Sequence, residues 1–159
     1  MKKALVAYFS CTGRTKHAAE TLAKAIGADV YEIVPQRPYT DADLNWMDKN
    51  SRSTLEMKDV SSRPAIEGRE ENMDSYQTVF VGFPIWWYVA PRIVNTFLES
   101  YDFSGKTIVP FATSGGSGMG KTEEELKKSC SPDAAWGKGK MLNGSLSQKE
   151  LVAWAEEYL

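Results

Sequence analysis

Histidine, cysteine and net charge are all scarce in this chain, and each scarcity removes a class of function. Among 159 residues there is one histidine, His17, and there are two cysteines, Cys11 and Cys130. A Ser-His-Asp triad would have to use His17, and a multi-histidine metal site has no second histidine to recruit. The two cysteines show no metal-ligand spacing and make no disulfide framework, so reduced thiols and no metal site are expected. The formal charge is −2, from 19 basic and 21 acidic residues. That balance provides no basic face for a phosphate backbone, and no nucleic-acid partner is expected. Long apolar runs are missing too. None reaches the roughly 18 residues of a membrane-spanning helix, and Met1-Lys2-Lys3 leads into a short strand-like run rather than a signal-peptide core, so a cytoplasmic protein without a membrane partner is expected. The length predicts one domain over residues 1–159.

What the chain does contain is an alternation of short apolar runs and amphipathic stretches. Ala4 to Phe9 is continuously apolar, the pattern of a strand buried on both faces. From Thr15 to Ile26 the residues Ala18, Ala19, Leu22, Ala23 and Ile26 recur at helical spacing, and Gly27 ends the helix. Asp29 to Val34 and Thr78 to Phe83 predict two more strands, the second stopping at Pro84. A helix is predicted after Pro91, with Ile93, Val94, Phe97 and Leu98 as its stripe. Thr107 to Ala112 predicts a fourth strand, interrupted by Pro110, and Ala134 to Leu142 a glycine-broken fifth. Thr122-x-x-Glu125 and Ser147-x-x-Glu150 have the capping-box pattern and predict helices through Lys128 and Tyr158. The alternation implies a mostly parallel α/β sheet covered on both faces. Residues 35 to 75 form a polar insertion, in which at least one short helix is expected to lie over the edge of the ligand site.

Three loops carry chemistry. Ser10-x-Thr12-Gly13-x-Thr15 lies between the first strand and the first helix, where hydroxyls and the unpaired N–H groups of a helix start can hold a phosphate without lysine. In open α/β sheets ligands sit beyond the C-terminal ends of the strands, which favours phosphate binding over simple helix capping here. After the third strand comes Pro84-Ile85-Trp86-Trp87-Tyr88-Val89-Ala90-Pro91, aromatics fenced by prolines that can offer a flat face to a flat ring. After the fourth strand comes Thr113-Ser114-Gly115-Gly116-Ser117-Gly118, whose small residues allow close backbone approach.

At these loops the chain resembles the flavodoxin family, in particular short flavodoxin-like proteins with a Pro-x-Trp-Trp loop, over a stretch from Leu5 to the last helix. The resemblance implies a three-layer fold with a five-stranded parallel sheet of order 2-1-3-4-5. It also implies one FMN. Its phosphate would lie on Ser10, Thr12, Gly13, Arg14 and Thr15. Its isoalloxazine would lie on Pro84, Ile85, Trp86, Trp87 and Tyr88 and on Thr113, Ser114, Gly115, Gly116, Ser117 and Gly118. The expected function is electron transfer with a redox partner protein or a small electron acceptor, at a low reduction potential because few cations surround the ring. The alternative is an FMN-dependent NAD(P)H reductase of quinones or nitro compounds.

Other readings compete. Gly115-x-x-x-x-Gly120-Lys121-Thr122 has the spacing of a nucleotide-binding P-loop, although no predicted strand ends in the aspartate that would hold magnesium. A flavin-free binding module could use the same fold. Cys11, inside the phosphate turn, is read as a packing residue rather than a reactive thiol, and His17 as a solvated side chain on the polar helix face.

Overall fold

A computed structural model describes residues 3–114, 118–144 and 146–159. Its elements in chain order are β1 (Lys3–Tyr8), α1 (Arg14–Ile26), β2 (Asp29–Glu32), β3 (Val34–Pro35), α2 (Arg52–Lys58), β4 (Ile66–Glu67), β5 (Tyr76–Pro84), α3 (Arg92–Glu99), β6 (Thr107–Thr113), α4 (Thr122–Lys127), β7 (Ala135–Trp136), β8 (Lys140–Met141) and α5 (Gln148–Glu156). The main sheet runs β2-β1-β5-β6-β7, with β8 also on β6, and every pairing in it is parallel. Counting β7 and β8 as two pieces of one strand, this is the expected order 2-1-3-4-5.

Alternation along the central strands divides the core in two. Leu5, Ala7 and Phe9 of the first strand region, with Val79, Val81 and Phe83 of β5, pack under Ile93, Val94, Phe97 and Leu98 of α3 and Leu126 of α4. Val6, Tyr8, Phe80, Val109 and Phe111 face the other way, onto Ala18, Ala19 and Leu22 of α1 and Leu151 and Ala155 of α5. Successive side chains of a strand point to opposite faces, so apolar runs without polar alternation require a covered sheet on both sides. Gly82 sits where a Cβ would run into the Phe111 ring, so this central position accepts no larger residue without repacking.

Two features differ from the sequence reading. The second strand ends at Glu32, and Val34–Pro35 leaves the main sheet to pair antiparallel with Ile66–Glu67. The Thr122 capping box does not form. Lys121 is the N-cap residue, and buried Thr122 donates its hydroxyl back to the Met119 carbonyl. Ser147 does cap α5, accepting from the Glu150 N–H at 3.3 Å. The fifth strand is in two pieces, as its glycines predict, and other groups approach those glycines closely: a Cβ at Gly137 would lie 2.7 Å from the Tyr158 ring, and one at Gly139 would lie 2.6 Å from Met119.

The insertion contains the short helix α2, capped by Ser51, and it packs over the C-terminal edge of the sheet. Tyr39 meets Phe9 and Trp86 edge-on, each at 5.6 Å between ring centres. Arg52 lies 3.7 Å over the Tyr39 ring and pairs with Glu56 at 2.9 Å. From the main body, buried Arg92 donates to the Met57 carbonyl at 2.9 Å, setting a cation at the C-terminal turn of α2. No helix among the described residues is long and apolar enough to cross a membrane.

Candidate functional site

The turn after β1 is organised by Ser10 and Gly13. Gly13 adopts φ +90°, a conformation costly for other residues, and starts α1 without any side-chain cap. Its N–H donates to Ser10 Oγ at 3.1 Å, which leaves the Ser10 hydroxyl proton to donate outward. The first intrahelical bond runs from the His17 N–H to the Gly13 carbonyl, so the N–H groups of the preceding helical residues point out of the helix start. Thr12, Gly13 and Arg14 are exposed there.

Two residues expected in this phosphate cradle also reach the turn after β6. The buried Thr15 hydroxyl shares a hydrogen bond with the Thr113 hydroxyl at 2.8 Å. The Arg14 guanidinium donates to the Ser114 carbonyl at 3.0 Å. Both bonds tie the turn after β1 to the turn after β6, and they fix the spacing of the two loops. Asn143, just beyond β8, joins them by accepting from the Ser114 N–H at 2.9 Å. Sequence reasoning missed Asn143. The signal available was topological: the end of a fifth parallel strand borders the same edge as the ends of the first four.

The segment after β5 is a tight hairpin. The Ile85 N–H bonds to the Thr113 carbonyl, and Trp86 and Val89 exchange backbone bonds of 2.9 and 3.2 Å around Trp87 and Tyr88. Those two residues have φ of 49° and 69°, the signature of a type I′ turn, normally made by asparagine and glycine. Left-handed backbone at a bulky L-residue costs about 1–2 kcal/mol each. The strain turns Trp87 and Tyr88 outward, 43% and 69% exposed, while Trp86 is half-buried against Phe9, 5.9 Å away, and Tyr39. The expected aromatic face is therefore divided between an anchor, Trp86, and two presented rings. Gly120 backs directly onto the Tyr88 carbonyl.

Of the turn after β6, Thr113 is buried, Ser114 is held as described and Gly118 is exposed. Gly115, Gly116 and Ser117 lie outside the described residues. The P-loop alternative loses its magnesium ligand, since the Thr122 hydroxyl is buried and given to Met119, and Gly120 is explained by its contact with Tyr88. Burial pushes the Cys11 thiol up to about 12, only partly opposed by Arg52, and the protonated thiol packs against the core. His17 is exposed on α1. Between the insertion and the hairpin lies a cleft of about 370 Å³, with Leu44, Trp46 and Ser53 on one side and Ile85, Trp86, Trp87 and Tyr88 on the other.

A sequence model of the flavodoxin family matches residues 3–158. The chain belongs to the flavodoxin family. Family membership brings FMN as the cofactor, and the donors at the start of α1 fit its phosphate: an uncapped helix terminus, an exposed backbone and the Ser10 hydroxyl. Among solved structures, this flavodoxin is similar to a candidate flavoprotein from Bacteroides eggerthii, with 51% identity over 99% of this chain and 98% of that one and a TM-score of 0.93. A second candidate flavoprotein, from Bacteroides uniformis, has 50% identity over 98% of each chain and a TM-score of 0.90. A flavoprotein in complex with FMN from Lactobacillus acidophilus shares the fold at 18% identity, covering 98% of this chain and 99% of that one, with a TM-score of 0.72. No curated protein matches this flavodoxin.

Proposed function

We propose that the chain holds FMN non-covalently, with the phosphate at Ser10, Thr12, Gly13 and the start of α1, and that its work is electron transfer. The observation that carries this reading is the uncapped N-terminus of α1 at the C-terminal end of β1, with Ser10 turned to support it. A phosphate dianion there gains the helix dipole and several N–H donors without a neighbouring lysine. Bound FMN supplies one- or two-electron redox chemistry.

The chain's residues divide the remaining tasks. Thr15, Thr113, Arg14 and Ser114 hold the two turns at a fixed separation, so the phosphate and ring contacts are set before the ligand arrives. Arg14 acts in this reading as a strut between loops, and its charge also adds to the potential at the phosphate. Ring contacts are proposed for Pro84 to Tyr88, of which Trp87 and Tyr88 offer exposed rings, and for Thr113, Ser114 and Gly118. An electron carrier serving a redox partner is the main reading. A reductase of small acceptors is the second, favoured by the cleft beside the hairpin.

The test is titration of the purified, flavin-stripped protein with FMN and with riboflavin, followed by absorbance and flavin emission. FMN should bind substantially more tightly than riboflavin. Equal affinity for the two would remove the phosphate site, and no binding of either would remove the cofactor.

A further inference from the structure

We propose that the cleft between the insertion and the Trp86–Val89 hairpin is a binding site for a small, flat, uncharged aromatic molecule, separate from the seat of the FMN ring. The proposal builds on the FMN reading above. The hairpin is bonded through the Ile85 N–H to the Thr113 carbonyl, and its Tyr88 carbonyl lies against Gly120. The cleft lies between the hairpin and Leu44, Trp46 and Ser53 of the insertion. Among the described residues, neither the Ser10–Thr15 turn nor Thr113 borders the cleft.

Its chemistry selects the occupant. Four aromatic side chains, Trp46, Trp86, Trp87 and Tyr88, border it, and such walls favour a flat ring. Among the described residues no bordering side chain carries a formal charge, so an ionised ligand would lose water without gaining a partner. Ser53, on the insertion side, is buried, and its hydroxyl lies 3.5 Å from that of Ser51. A volume of about 370 Å³ is in the range of small-molecule sites, whereas a protein partner needs a face of about 800 Å².

Two further observations mark the cleft as a built site. Trp46, Tyr88 and Trp87 are 70%, 69% and 43% exposed, so large rings left open to water converge on one place. Two of them are held by left-handed backbone, and strain of this kind is retained where a ligand clamp needs it. The opposing wall is itself fixed by the Arg52 pairing with Glu56, by Arg52 over Tyr39 and by Arg92 on Met57.

The probe is 2-methyl-1,4-naphthoquinone, titrated without reductant into the full-length protein loaded with FMN and read by tryptophan emission and calorimetry. Saturable one-to-one binding is expected. Trp46→Ala should weaken it about tenfold, the loss of one good ring contact, while the FMN affinity of the same variant stays within about twofold. The proposal is overturned if the FMN-loaded protein does not bind the quinone, if FMN expels quinone bound to the stripped protein, or if Trp46→Ala leaves quinone affinity unchanged. Should FMN itself fail to bind, the FMN reading falls. The quinone titration of the stripped protein and of its Trp46→Ala variant then decides the cleft on its own.

Discussion

At the end of β1 the ligand edge is a turn of small polar residues, closed by one bond from Gly13 to Ser10 three positions away and continued directly into a helix. At the end of β5 the same edge is made of large rings on strained backbone, supported by residues distant in sequence: Phe9, Tyr39 and Gly120. The Ser10–Gly13 part of the polar turn needs only local geometry, because a glycine, a serine and a helix start already satisfy one another. The aromatic hairpin is stable only in its surroundings, since nothing local favours Trp87 and Tyr88 at positive φ. In the proposed function the tasks divide along the same line, with charge recognition on the local turn and ring recognition on the tertiary one.

The largest effect expected from breaking that contrast is at Gly120. Gly120→Val puts a Cβ into the Tyr88 carbonyl at a position of φ +57°, and should cost about 2–4 kcal/mol in urea unfolding together with loss of FMN binding. A variant as stable as the parent would show that the hairpin does not lean on this segment. Next in size is Ser10→Ala, which should weaken FMN by about 1–3 kcal/mol while changing folding by less than about 1 kcal/mol. If stability fell more than affinity, the turn would be a structural cap instead.

Tyr88→Gly reverses the sign. Relief of left-handed strain exceeds the added chain entropy, so unfolding free energy should rise by about 0.5–1 kcal/mol even as an exposed ring is lost. Destabilisation in the same urea measurement would mean the ring packs more than its exposure indicates.

The thiols sharpen the contrast through pH. Burial raises Cys11 and Cys130 from 9.0 to about 12, so the fold binds their protons more tightly than the unfolded chain does. Their contribution to stability is complete below about pH 9 and is lost progressively as pH rises toward 12. Midpoints of chemical unfolding between pH 8 and 11 should fall, and less so in a Cys11→Ala, Cys130→Ala double variant. The smallest effect is expected at Lys121→Ala, an exposed position, where FMN affinity should change by less than about 0.5 kcal/mol. Magnesium-dependent ATP binding abolished by that change would restore the P-loop reading.

The amino-acid sequence by itself determined the layered fold. Uninterrupted apolar runs such as Leu5 to Phe9 and Val79 to Val81 have no polar face to give to water, so they must lie between two helical layers, and parallel order follows from the helices between them. It also determined the Ser10–Gly13 part of the turn after β1, whose bond spans three residues. Only the tertiary structure decided that Arg14 and Thr15 bridge to Ser114 and Thr113 and that Asn143 joins them. The same holds for the division of Trp86 from Trp87 and Tyr88. Each of these depends on which distant groups happen to lie within a hydrogen bond or a ring diameter, and local propensity and periodicity carry no record of such distances.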